Sequence, residues 1–160
     1  MANPVNQAEM LEYERRDFMT AKRVLEDAFS YTSINFSQEP PHSVHDAVLE
    51  AEGKQYIVEI KSRRQSLDYG TFPILLRKHQ SLLAEADRRK CGCLYIVLNN
   101  GEWAYIYDLR RVRLTECIVR PWKIRKWQLS ENVAMEEQVT VFMPFRLATV
   151  YPITPAREHI

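Results

Sequence analysis

With 160 residues, 46% of them apolar and 27% charged, the chain is sized for one globular domain that buries about two thirds of its unfolded surface. Its apolar runs are only a few residues long, and MANPVNQAEML has neither a basic opening nor a continuous apolar core, so neither membrane insertion nor export is expected. The net charge of +1 hides a division: residues 1–60 carry 5 basic and 11 acidic side chains, residues 61–126 carry 15 and 6, and residues 127–160 carry 2 and 4.

Residues 7–30, QAEMLEYERRDFMTAKRVLEDAFS, place Met10, Leu11, Phe18, Ala21, Val24, Leu25, Ala28 and Phe29 three and four apart, which predicts a first long helix. Glu14 and Asp17 fall on or beside its apolar stripe, either as a further acid of a site, with Glu14 preferred, or as edge residues reaching solvent. YTSINF, residues 31–36, reads as a short strand. The proline-marked loop SQEPPHSVH follows and carries His42 and His45, of which His45 is a minor candidate for metal or phosphate contact.

Residues 45–63, HDAVLEAEGKQYIVEIKSR, show two alternating segments around Glu52-Gly53-Lys54-Gln55, the pattern of a β-hairpin. A Gly53-Lys54 loop would set Glu52 opposite Gln55 and Asp46 opposite Lys61. Side chains alternate along a strand, so Glu59 and Lys61 share a face, and pairing adds Asp46 to it. An even loop length keeps this parity; an odd one moves Asp46 to the other face. Two carboxylates on one face repel, and one lysine offsets this only partly. An oxygen-only set of this kind suits Mg²⁺, with Mn²⁺ as a substitute. The plain alternative is that Glu59 and Lys61 are the polar positions of a half-buried strand. Arg63 and Arg64, at the end of this strand, are placed to grip phosphates.

Asp68-Tyr69-Gly70-Thr71 has turn chemistry, and Pro73 is expected to open a helix running to about Lys90, ended by Gly92. Leu75, His79, Leu82, Leu83 and Ala86 form its inward stripe, with Lys78 and Gln80 at the borders and Arg77 facing solvent. Residues 93–99, CLYIVLN, and EWAYIYDL after the Asn99-Asn100-Gly101 turn form a second hairpin. VRLTECIV reads as a strand. RPWKIRKW, residues 120–127, mixes tryptophans with cations, either to grip and stack on nucleic acid or to cover the core edge. SENVAMEEQ reads as an acidic loop or short helix, and the remainder as proline-cut strands. Three cysteines, with no second pair beside Cys91 and Cys93, fit reduced thiols in a cytoplasmic protein. The basic block, net +9, begins where Glu59-Ile60-Lys61 ends and suits a phosphate backbone, unless its charges are solvated helix faces.

Asp46, the Glu59-Ile60-Lys61 signature, the acid-bearing helix and LLRKHQSLLAEADRRKCGCLYIVLNNGEWAYIYDL together resemble the Asp…Glu-x-Lys nuclease superfamily over roughly residues 10–109. Within it, the His79-Gln80 pair before a glycine-marked strand is similar to Holliday junction resolvases of the recombination-protein-U type. The resemblance implies an α/β fold: a restriction-endonuclease-like mixed sheet flanked by helices, with a core over about 7–119 and a β-rich C-terminal extension over about 120–160, all in one domain. It implies metal ligation by Asp46, Glu59 and the main-chain carbonyl of Ile60, water positioning by Lys61, support from Gln80 and an acid from Glu14. Lys78 and Arg77 join Arg63 and Arg64 as expected DNA contacts. Cleavage of branched DNA by a homodimer is the expected activity. The other reading is a silent nuclease-fold module that binds nucleic acid or serves a larger assembly through its C-terminal extension. The departures are His45 where a proline or glycine usually precedes the first acid, and a C-terminal third outside the resemblance.

Overall fold

The computed structural model describes residues 4–30, 32–40, 43–125 and 135–154; His42, Lys126 and Trp127 lie outside the described residues. Among the described residues the architecture is a mixed α/β arrangement of two sheets and two α-helices. Helix α1 (Pro4–Ala28) precedes β1 (Ile34–Gln38), β2 (Ala47–Ala51) and β3 (Lys54–Arg63). Then come β4 (Thr71–Leu75), α2 (Leu76–Arg89), β5 (Gly92–Asn99) and β6 (Trp103–Asp108), and finally β7 (Ile118–Arg125), β8 (Met135–Pro144) and β9 (Thr149–Pro152). The main sheet has the order β1-β2-β3-β5-β6-β9, with β3 and β5 parallel and every other pair antiparallel. A second antiparallel sheet has the order β4-β8-β7.

The layers follow from side-chain alternation. One face of the main sheet offers Leu49, Val58, Leu94, Ile96 and Ala104, and α1 covers it with Ala21, Val24 and Leu25. The other offers Ile57, Cys93, Tyr95, Val97 and Tyr107, covered by Leu82 and Ala86 of α2 and by Phe72, Ile74, Val141 and Met143 of the second sheet. Strand β5 is covered on both faces, so its sequence is apolar without alternation. Tyr107 Oη donates to the Met143 carbonyl at 3.2 Å and ties the layers together. Among the described residues, no helix is long and apolar enough to cross a membrane.

Several local expectations are corrected. The hairpin turns on Glu52-Gly53, both at positive φ (54° and 76°), so β2 and β3 pair as Val48↔Ile57 and Ala51↔Lys54. The register is therefore two residues away from the expected one; parity survives, and Asp46, one residue before the first pair Ala47↔Val58, lies beside Val58 and Ile60 rather than opposite Lys61. Pro73 does not open a helix: it sits in β4, an edge strand of the second sheet, opposite Phe142. An edge strand tolerates the missing N–H. Helix α2 ends on Lys90 in the left-handed conformation, not on Gly92, which begins β5. The expected strand at VRLTECIV starts only at Ile118, after a 3-10 turn at Leu114–Glu116. The C-terminal extension is β-rich, as expected, and it is integrated with the rest: β7 and β8 build the second sheet with β4, and β9 pairs with β6 in the main one.

Gly92 stands beside Tyr56 in the β3–β5 register, and an added Cβ would overlap the Tyr56 ring. Gly92→Ala is expected to lower stability by about 1–3 kcal/mol, the usual cost of overpacking, measured by urea denaturation.

Candidate active site

The site is built where β3 outruns its neighbour. The Val58 carbonyl faces the β2 side, where it accepts from the Asp46 N–H, and by alternation Ile60 presents its N–H and C=O to that same side. Strand β2 starts at Ala47, so no strand partner meets Ile60 there. The Asp46 carboxylate takes that place: its Oδ2 accepts from the Ile60 N–H at 2.8 Å, while the Asp46 N–H donates to the Val58 carbonyl at 3.0 Å. A backbone donor at the strand edge thus fixes the first acid.

Glu59, beside it on β3, is 4% exposed. Burial pushes its carboxyl from 4.5 up to about 7, and the adjacent Asp46 carboxylate pushes the same way. Lys78 of α2 opposes both, its Nζ lying 2.7 Å from Glu59 Oε2; the same ammonium also donates to the Val44 carbonyl. Two close carboxylates and the Ile60 carbonyl form an oxygen-only set, and a carboxyl raised this far marks a deficit of positive charge. The residues present therefore fit a hard divalent cation that keeps waters of its own. Among the described residues, no three acidic, histidine or cysteine side chains converge tightly enough to hold a metal by themselves.

Two cavities flank this point. One of about 750 Å³ lies toward α1 and is lined by Glu14, Asp17, His45, Asp46 and Lys61 among others. Burial raises the Asp17 carboxyl, opposed by Arg16 and reinforced by Asp46 and Glu14, so the helix acids and Asp46 act on one another. The other cavity, about 500 Å³, lies between α2 and the second sheet and is lined by Lys61, Arg63, Arg77 and Lys78 with Tyr95 and Trp122. Lys61 lines both.

The structure thus brings Asp46, Glu59, Lys61, Glu14 and Asp17 to one place. Gln80 is not brought there: it is exposed, about 200° around α2 from Lys78, and lines neither cavity. Arg64 is exposed and lines neither, whereas Arg63 and Arg77 line the cationic one. Lys78, also an expected DNA contact, lines that cavity too and is paired with Glu59. His45 is buried, with Nε2 3.2 Å from Glu39, a carboxylate that also receives Arg89 at 3.1 Å. Against the effect of burial, these bonds hold Glu39 below its usual value and pin the loop that delivers Asp46. Sequence reasoning missed the Lys78–Glu59 pair: Lys78, Leu82 and Glu85 share one side of α2, but nothing local ties that side to β3.

No protein-family model matches the chain, and no curated protein does. Among solved structures it is similar to the Holliday junction resolvase Hjc of the archaeal hyperthermophile Archaeoglobus fulgidus, at a TM-score of 0.49 and 9% identity, over 80% of this chain and 86% of that one. At that similarity the chemistry has to be argued from the side chains of this chain.

Below pH 4.5 Glu59 is protonated whether the chain is folded or not. Between 4.5 and about 7 the unfolded chain releases a proton that the folded chain keeps, so this group makes stability fall as pH rises through that window. In EDTA, Glu59→Gln is expected to remove a slope of at most about 1.4 kcal/mol per pH unit between pH 5 and 7, read from urea denaturation at several pH values.

Proposed function

We propose that the chain is a Mg²⁺-dependent nuclease that hydrolyses phosphodiester bonds of DNA, with Asp46, Glu59 and the Ile60 carbonyl holding the ion. The observation that carries the reading is the Asp46 carboxylate bonded to the Ile60 N–H beside Glu59, with Lys61 exposed on the same face. When bound, the ion supplies Lewis-acid stabilisation of charge on the phosphoryl group. Lys61 orients the attacking water and donates to the oxygens on which charge develops. The Ile60 N–H fixes one Asp46 oxygen and leaves the other toward the site. Glu14 and Asp17 extend the acidic side, where either can hold a water. Branched DNA is the proposed substrate, and two symmetric cuts call for a pair of copies.

A second reading is favoured by one observation: the Lys78 ammonium already neutralises Glu59. With an internal cation in place, the fold serves as a nucleic-acid-binding module without cleavage, or as part of a larger assembly.

Incubation with four-way junction, duplex and single-stranded DNA in Mg²⁺ or Mn²⁺ separates the two. The wild type is expected to nick at least one substrate, Asp46→Ala to nick none, and Lys61→Met to be slower by about 10²–10⁴-fold. Equal behaviour of wild type and Asp46→Ala would sink the enzymatic reading, and binding without nicking would support the second.

A further inference from the structure

The cavity between α2 and the second sheet is concave and about 500 Å³ in volume, and among the described residues four cations and no acid line it. Lys78 is committed to Glu59, but Lys61 and Arg77 have no carboxylate partner among the described residues. Arg63 donates through one Nη to the Pro73 carbonyl at 3.2 Å, and its Nε is buried without a partner among the described residues. Three cationic groups facing one concavity with no counter-charge among the described residues call for an anion.

The opposite wall is aromatic. Trp122 of β7 is 44% exposed, and its ring lies 5.0 Å from that of Phe142, which is nearly buried. The indole is thus braced from behind and accessible from the cavity. An aromatic surface facing guanidinium groups suits a planar ring that carries a phosphate. Lys61 lines both this cavity and the acidic one that holds Asp46, so a strand whose phosphate lies at the Asp46 and Glu59 site can continue into it. A pocket of small-ligand size takes a nucleotide whose base is free, not one enclosed in a paired helix.

We infer that this cavity binds an unpaired nucleotide flanking the phosphate held at Asp46 and Glu59, with its base stacked on Trp122 and its phosphates on Arg63 and Arg77; the inference rests on the nuclease reading only for what lies at the acids. It makes the enzyme selective for DNA with a single-stranded segment at the cut, such as a tail or an opened branch, over uninterrupted duplex.

The test is a binding measurement in EDTA, where cleavage plays no part. Fluorescence anisotropy compares a labelled blunt DNA hairpin with the same hairpin carrying a five-nucleotide single-stranded tail. The wild type is expected to prefer the tailed hairpin about tenfold, Trp122→Ala to lose that preference, and Trp122→Phe to keep most of it. Trp103→Ala, which removes an exposed tryptophan outside the cavity, is expected to leave it unchanged. Arg77→Ala is expected to weaken the tailed hairpin more than the blunt one. Equal affinity of the wild type for both hairpins, or a preference that survives Trp122→Ala, overturns the inference. A preference that depends on Trp122 in a protein that nicks nothing sustains it while the nuclease reading falls; nicking without the preference does the reverse.

Discussion

The site depends on one unequal pairing: β3 runs to Arg63 while its neighbour β2 begins opposite Val58. The Ile60 peptide left beyond that start presents a backbone donor with no strand carbonyl of β2 to meet it. Asp46, one residue before β2, supplies a carboxylate where a strand carbonyl would have been. A constraint of backbone hydrogen bonding thus becomes the means of placing an acid beside Glu59. The loop before it is held in turn by the Glu39, His45 and Arg89 contacts, so the position of Asp46 is set from both sides along the chain.

Around that point the charges are sorted by face. Acids from α1 meet Asp46 on one side, cations from β3 and α2 line the other, and Lys61 stands between them. Lys78 crosses the division to reach Glu59. Burying a carboxylate beside another raises its proton affinity, and an ammonium at 2.7 Å limits that rise without abolishing it. The near-neutral net charge of the chain is therefore a poor guide to its surface, because opposite charges are collected in neighbouring cavities rather than mixed.

The mixed sheet, the two helices and the shared face of Asp46, Glu59 and Lys61 were readable from periodicity, because alternation survives a shift of two residues. The register itself was not, since choosing between Glu52-Gly53 and Gly53-Lys54 turns on which residue adopts positive φ, and the side-chain pattern is the same for both. Pro73 shows why local rules fail: a proline after a turn suits a helix start, but pairing with Phe142, about 70 residues away, decided otherwise. Gln80 misled because sequence adjacency to His79 says nothing of direction on a helix; its neighbour His79 is buried and Gln80 faces out. The Lys78–Glu59 pair required knowing that α2 packs beside the parallel β3–β5 step, which no window of sequence contains. The basic-aromatic stretch was visible, but the Phe142 that braces Trp122 comes from a different strand.

The pairing of β4 with β8 joins Thr71 to Pro144, so the second sheet closes only when distant parts of the chain meet. The β2–β3 hairpin, by contrast, is entirely local. Contacts of long sequence separation pay their loop-closure entropy before they return any packing energy. During synthesis, which proceeds from the N-terminus, the acids can be positioned well before the wall carrying Trp122 exists. The first acids thus sit on a hairpin of local contacts, whereas the sheet that carries Trp122 is joined to β4 by contacts far apart in sequence.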